Sequence, residues 1–392
     1  MRLSNHLSIA DLERSASRRL PASIFGYVSG GAEDHRAVVG NRTAFNRWVL
    51  VPRMLTGVAE RSQEVEIFGQ RYTSPVGIAP MGLAGLCAYE GDLQLAAAAR
   101  DAKVPFVLSA ASTVPLEKVA MAAPGSWYQG YLSADRSTIT PLLARIERAG
   151  FGVLVITVDV PLAAQRENEL RNGFSVPLRL SRRLVYGGLA RPRWLLSTFG
   201  RTLLTQGVPH FENFTANRGG PIITGATGDH RSGRAALCWN DIHWIRSQWK
   251  GTLVVKGILH PDDALRAKQA GADGIIVSNH GGRQLDGALA TLDALPAITA
   301  VAGDMPVILD SGVRRGTDVI KALSLGARLV LVGRPAMYGL AVGGHAGVRH
   351  ALQLLRREID VDLALLGCPR IEKLNRDFVV QVSRESWHAA HG

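Results

Sequence analysis

The 392-residue chain has few cysteines, few lysines and no long apolar run. Its three cysteines, Cys87, Cys238 and Cys368, are too few and too far apart for a disulfide framework or a Cys-rich metal site. No stretch of about 18 apolar residues occurs, so no helix is expected to span a bilayer. Residues 1–20 mix charges with short apolar steps and lack the apolar core of a signal peptide, so a reducing, cytoplasmic setting is expected. The 42 glycines and 18 prolines follow no short period, which excludes collagen-like and low-complexity classes. The histidines show no His-x-x-x-His or comparable spacing, so no metal site is expected.

What remains is a globular composition, 46% hydrophobic and 20% charged, long enough for a large core. The formal charge is +12, and only seven of the 45 basic residues are lysine. A GC-rich genome produces such an arginine excess. So does selection for an anionic membrane surface, an acidic ligand or nucleic acid. The chain carries no nucleic-acid reading motif or aromatic stacking platform, so no nucleic-acid partner is expected.

From residue 75 onward, short β-branched runs alternate with amphipathic stretches. The runs are Val76–Pro80, Pro105–Ser109, Trp127–Tyr131, Val153–Asp159, Leu253–Gly257, Gly274–Asn279, Val307–Asp310 and Leu329–Gly333. Their length and uniform apolarity suit strands buried on both faces. Helical patterns lie between them, as at Asp92–Asp101, Thr138–Ala149, Asp262–Ala270 and Thr317–Leu325, several followed by a glycine stop. Eight strand–helix units running one way predict an α/β fold of the (β/α)8 TIM-barrel type. A doubly wound sheet would place Gly-x-Gly-x-x-Gly after its first strand. Met81-Gly82-Leu83-Ala84-Gly85 stands there instead. The expected organisation is a cap over 1–74 at the barrel bottom, a barrel over 75–370 and a tail over 371–392. Residues 160–240 form a long insertion after the fourth strand, with a glycine-rich stretch at 219–233 expected to be mobile. Positions 170–211 hold seven arginines and no acid, interleaved with aliphatic and aromatic residues. That pattern suits a monotopic anchor on anionic lipid over 175–215, with Trp194, Leu195, Leu196 and Phe199 entering the interface. A lid or a subunit contact suits it too.

Barrel enzymes carry their chemistry at the C-terminal ends of strands. Here the residues at those ends are repeatedly reactive: Gln129 and Tyr131, Thr157 and Asp159, Lys256, Ser278 and His280, Asp310, and Arg334. The segment Asp310-Ser311-Gly312-Val313-Arg314-Arg315-Gly316 and the pair Gly333-Arg334 are built for phosphate, with glycines that let amides approach an anion. In Ser278-Asn279-His280-Gly281-Gly282-Arg283-Gln284 a proton acceptor is followed by a fixed cation. That suits a substrate whose carboxylate lies beside the carbon losing its proton. Arg166 is a candidate second clamp, and Asp159 a candidate to orient His280 and stabilise its imidazolium.

These residues resemble the FMN-dependent L-2-hydroxy acid oxidase and dehydrogenase family, which includes glycolate oxidase, L-lactate dehydrogenase and L-mandelate dehydrogenase. The resemblance runs from about residue 20 to 369. It rests on SNHGGRQLD (278–286), SGGAED (29–34), IAPMGLAG (78–85), TVDVP (157–161), LVVKG (253–257) and LDSGVRRGTD (309–318). ARPRWLL (190–196) and PHFENF (209–214) are similar to the long loop of the membrane-associated mandelate dehydrogenase type. The resemblance implies FMN as cofactor and oxidation of a 2-hydroxy acid to the 2-oxo acid. It implies His280 as base with Asp159 as partner, and Arg166, Arg283 and Tyr27 on the substrate carboxylate. Tyr131 would lie near the substrate hydroxyl. Lys256 would sit at the flavin N1–C2 edge, and Gln129, Thr157 and Ser278 at the ring edge. Ser109, Pro80, Met81 and Gly82 would lie against the ring, and Asp310, Gly312, Arg314, Gly333 and Arg334 would meet the ribityl and phosphate groups. His280 would take either the hydroxyl proton during hydride transfer or the α-proton to leave a carbanion. A homotetramer is also implied.

Ala111 stands where glycolate oxidase-like members carry tryptophan, and Ala163 and Ala164 are small as well. A large or aromatic substrate side chain, as in mandelate, is therefore expected. Gly130 replaces a common leucine. Gly82 replaces the alanine common in oxidases, which points to a quinone rather than oxygen as acceptor. The alternatives are an oxidase releasing hydrogen peroxide, and a non-catalytic phosphate-binding barrel acting as a basic scaffold.

Overall fold

The computed structural model describes residues 2–179, 181–224 and 233–382. Twelve strands are seen among them. Three precede the barrel: β1 (Trp48–Leu50), β2 (Val65–Ile67) and β3 (Gln70–Tyr72). Eight form it: β4 (Val76–Ile78), β5 (Val107–Ser109), β6 (Trp127–Gly130), β7 (Val153–Thr157), β8 (Thr252–Ile258), β9 (Gly274–Val277), β10 (Val307–Leu309) and β11 (Leu329–Val332). The last, β12 (Val379–Gln381), pairs antiparallel with β1.

All eight expected runs are strands, seven of them trimmed by one or two residues and β8 longer by one at each end. They lie in the order β4-β11-β10-β9-β8-β7-β6-β5, with parallel registers throughout. A parallel bridge between Ile78 and Phe106, with the Ile78 amide donating to Pro105 O at 2.8 Å, joins the two ends into a closed (β/α)8 barrel. Closure explains the continuous apolar runs. One face of each strand fills the barrel and the other packs on helices, so Ile156, Val255, Ile276, Ile308 and Val330 are wholly buried. Each such side chain contributes roughly 1.5–3 kcal/mol relative to exposure.

The connecting helices begin and end where the sequence marks them. Gly91–Ala102, Arg136–Arg148, Pro261–Gln269 and Gly316–Ser324 match the four expected patterns within two residues. The glycine stops Gly150, Gly271 and Gly326 all adopt positive φ, which terminates a helix without steric cost.

Only part of the N-terminal segment caps the bottom. The β2–β3 hairpin does so, placing Phe68 against Trp127 at the start of β6, ring centroids 5.4 Å apart. The helix Ala22–Ser29 lies instead at the mouth, where the Tyr27 hydroxyl donates to Gly82 O at 3.0 Å.

Among the described residues the insertion carries short helical segments, including Glu167–Arg171, Arg182–Leu189, Pro192–Trp194, a π-helical turn Leu195–Gly200, and Arg201–Gln206. Part of the glycine-rich stretch, 225–232, and the tail from 383 lie outside the described residues. Trp194 corrects the expectation that it enters lipid. It is 5% exposed, and its indole N–H donates to Leu86 O at 2.7 Å, so it ties the insertion to the barrel. Tyr186, Leu189, Leu196 and Leu204 face outward instead. No helix among the described residues is long and apolar enough to cross a membrane.

Candidate active site

The C-terminal mouth of the barrel encloses a cavity of about 690 Å³, within the size range of cofactor and substrate sites. The loop after β9 shapes its floor. His280, Gly281 and Gly282 follow one another at φ of 58, 69 and 75°. A non-glycine residue in this left-handed region costs of order 1–3 kcal/mol and is held there by its surroundings. The holding is dense. Ser278 Oγ accepts from the His280 amide at 3.1 Å, and Asn279 Oδ1 accepts from the Gly282 amide at 3.1 Å. Asn279 and Asn41 exchange two side-chain hydrogen bonds of 2.8 Å. Gly282 admits no side chain, because a Cβ there would lie 2.6 Å from the Val38 nitrogen.

This turn aims His280 at the cavity. Its Nδ1 lies 2.9 Å from Asp159 Oδ1, across 121 residues of sequence. Burial pushes the imidazole below its usual value of 6.5. Asp159 opposes that, while Lys256 and Arg166 reinforce it. Burial would raise the Asp159 carboxyl, but His280 and Lys256 outweigh it and hold the group below its usual range. The pair therefore rests as neutral imidazole and carboxylate. We assign the proton to Nδ1, donating to Asp159, which leaves the Nε2 lone pair for a ligand.

Two guanidinium groups border the same space. Arg283 Nη2 donates to Glu169 Oε1 at 2.7 Å, and its Nη1 donates to Tyr27 O and Gly30 O. Its Cζ also lies 4.9 Å from the centroid of the Tyr27 ring. Arg166 donates from Nε to Arg283 O at 3.0 Å and from Nη2 to Gln284 Oε1 at 2.9 Å. Gln284 in turn donates to Asp159 O and Leu162 O, tying the arginine to the dyad. Burial raises Tyr27 to about 12, against the pull of Arg283, and raises Tyr131 against that of Lys256. Both phenols are hydrogen donors at neutral pH. The Tyr27 proton goes to Gly82 O, so a carboxylate taking it must displace that carbonyl.

Lys256 supplies a fixed cation on β8. Its Nζ donates to Ser278 Oγ at 2.7 Å and lies 3.2 Å from Asp310 Oδ2. Burial alone would lower it, but Asp310, Asp159 and Tyr131 together raise it, so it stays charged. On the adjoining strands, Gln129 Oε1 accepts from Ser109 Oγ at 3.0 Å. Gln129 Nε2 and Thr157 Oγ1 are buried without a partner. An unmet buried donor is expensive, and these two fit the polar edge of a flavin. Gly312, Arg314, Gly333 and Arg334 also line the cavity, and they fit its phosphate.

Most of the residues singled out in the sequence meet here. Pro80, Met81, Gly82, Ala111, Ala163, Tyr27, Tyr131, Arg166, Lys256, His280, Arg283, Asp310, Gly312, Arg314, Gly333 and Arg334 line the cavity. Asp159, Ser109, Gln129, Thr157 and Ser278 stand behind that lining, buried and bonded as above or unpartnered. The Arg334 guanidinium donates to Val28 O, Gly281 O and Gly30 O, which leaves one N–H on each Nη, with the backbone at the start of helix Arg334–Leu366, for phosphate. Burial, helped by Arg314, pushes it to about 9. The sequence reading missed Glu169, whose spacing of three from Arg166 was the available signal. It also missed Arg234, which lies 4.7 Å over the Tyr131 ring.

A dyad with its base facing a cavity, a fixed cation and paired arginines define a class when they crown a closed barrel: an oxidoreductase acting beside a carboxylate. The chain matches the FMN-dependent dehydrogenase family over residues 16–381 and belongs to it. It is 39% identical to (S)-mandelate dehydrogenase of Pseudomonas putida over 376 residues, covering 96% of this chain and 94% of that one. It is 41% identical to L-lactate dehydrogenase of Stenotrophomonas maltophilia over 381 residues, covering 95% and 98%. Among solved structures, that of the monotopic membrane protein (S)-mandelate dehydrogenase superposes with a TM-score of 0.89 at 38% identity, covering 96% of this chain and 100% of that one. The protein is an FMN-dependent 2-hydroxy acid dehydrogenase.

Proposed function

We propose that the protein oxidises an L-2-hydroxy acid with a large or aromatic side chain, with His280 as base, and passes the electrons to a quinone-type acceptor at an anionic membrane surface. The observation that carries the reading is the 2.9 Å contact of His280 Nδ1 with Asp159, which leaves Nε2 facing a cavity bordered by Arg166 and Arg283.

FMN, when bound, supplies the two-electron acceptor. Gln129, Thr157, Lys256 and Ser278 would hold its ring edge, and Gly312, Arg314 and the Gly333–Arg334 backbone its phosphate. The chain's own groups do the rest. Arg166 and Arg283 fix the substrate carboxylate, which sets the reacting carbon and hydroxyl within reach of Nε2. His280 takes the proton there. Asp159 then stabilises the imidazolium at Nδ1 and holds the ring in one tautomer. Tyr131 donates to the substrate oxygen.

Small residues support the substrate class. Gly82, Ala111 and Ala163 line the cavity, and Phe174, Val176 and Phe214 make the rest of that wall apolar. The similarity to a mandelate dehydrogenase points the same way. The outward leucines of the insertion, set among its arginines, and the monotopic neighbour support the membrane reading. The test is kcat/KM with an artificial acceptor for (S)-mandelate, L-lactate and glycolate. Mandelate is expected to lead by about tenfold or more, the scale on which apolar pockets discriminate side chains. A lead for glycolate or lactate overturns the substrate class.

A further inference from the structure

Two guanidinium groups side by side carry one positive charge more than a monocarboxylate cancels. Glu169 supplies the difference. Its Oε1 accepts from Arg283 Nη2 at 2.7 Å and lies 3.8 Å from Arg166 Nη1, so one oxygen serves both cations. Glu169 is buried, unlike its neighbour Glu167, which pairs with Arg171. The short helix Glu167–Arg171 is pinned in place by Asn168 Nδ2, which donates to Gly26 O at 3.0 Å on the helix that carries Tyr27.

The surrounding bonds fix what the clamp can offer. Arg283 gives both Nη1 hydrogens and one on Nη2, and Arg166 gives Nε–H and one hydrogen on Nη2. Counted against five N–H groups each, Arg283 keeps Nε–H and one Nη2–H, and Arg166 keeps its Nη1 hydrogens and one on Nη2, for a ligand. Of the other cations lining the cavity, Lys256 pairs with Asp310 at 3.2 Å, and Arg234 keeps its charge over the rings of Tyr131 and Phe214. The charge within the clamp itself comes from Arg166, Arg283 and Glu169.

We propose that Glu169 is a specificity-determining residue: it holds the clamp at a net charge of +1 and so selects 2-hydroxy acids with one carboxylate over those with two. This rests on the clamp roles given above to Arg166 and Arg283. A second anionic group placed beside the clamp meets the Glu169 carboxylate. At separations of several ångströms and an effective dielectric constant of ~20, that repulsion weakens binding by about tenfold or more.

The test uses the flavin-bound enzyme and two unreactive probes of nearly equal shape, oxalate (a dianion) and oxamate (a monoanion). Binding is read from the flavin absorbance at fixed ionic strength. Because both affinities come from the same folded, flavin-loaded molecules, their ratio is insensitive to any unfolded fraction. Glu169→Gln is expected to raise the oxalate-to-oxamate affinity ratio about tenfold over the unmodified enzyme. Glu169→Asp, which keeps the charge and shortens the reach, is expected to leave the ratio within about twofold. An unchanged ratio in Glu169→Gln overturns the proposal, as does an equal rise in Glu169→Asp. Arg283→Met separates the two layers of inference. It is expected to weaken both probes, and unchanged binding of both there removes the clamp itself, whatever Glu169 does.

Discussion

His280 shows how much of this protein is decided at single residues. Its backbone sits in the left-handed region at φ 58°, a position that costs energy and aims the ring at the cavity. Burial then keeps the imidazole neutral, and Asp159 keeps it in one tautomer. The sign of the resulting pH dependence follows. Protonation removes the base, so activity falls as pH drops through the His280 pKa, and burial has moved that pKa down. The acid limb of kcat/KM is expected below 6.5, the ordinary histidine value. A pH–rate profile with its acid limb above 6.5 contradicts the assignment of a desolvated His280 as base. Residues also mark where reading from sequence ends. His280, Arg283 and Lys256 were legible because strand ends of a barrel converge. Glu169 offered only its spacing of three from Arg166, because its hydrogen-bond partner Arg283 lies 114 positions away and no periodicity links them. Arg334 read as a phosphate ligand from its place after a strand, whereas the three carbonyls that also fix its guanidinium are assembled only by the folded chain.

At the scale of elements, the barrel was legible and the insertion was not. Strands buried on both faces read as uninterrupted apolar runs, and the helices between them carry glycine stops, so eight units could be counted from periodicity alone. Neither the hairpin at the barrel bottom nor the helix Ala22–Ser29 at its mouth carries a sequence pattern that says which end of a barrel it covers. The insertion carries aromatics among arginines, and such a pattern does not distinguish a residue that anchors inward from one that faces out. Trp194 turned inward because its indole N–H finds Leu86 O. Tyr186, Leu189, Leu196 and Leu204 are the outward set, so the proposed membrane contact runs through them. Replacing these four by serine is expected to abolish co-sedimentation with vesicles containing anionic lipid while activity on a soluble acceptor persists. Equal sedimentation of the two proteins rules out the anchor.

At the scale of the whole molecule, the closed barrel brings distant segments to one rim. The helix Ala22–Ser29 delivers Tyr27, the insertion delivers Arg166 and Glu169, β8 delivers Lys256, and the loops after β9 and β10 deliver His280, Arg283 and Asp310. The Arg334 guanidinium binds two of these segments together through Gly30 O and Gly281 O. The account turns on one imidazole placed to take a proton from a substrate that the arginines hold. The most direct measurement is the anaerobic rate at which (S)-mandelate bleaches the bound flavin, compared between the unmodified protein and His280→Gln, with flavin content measured in both. The variant is expected to keep its flavin and its yellow colour and to bleach slower by about 10²–10⁴-fold, the range supplied by a positioned base. Bleaching of the flavin-loaded variant at the unmodified rate would contradict the account.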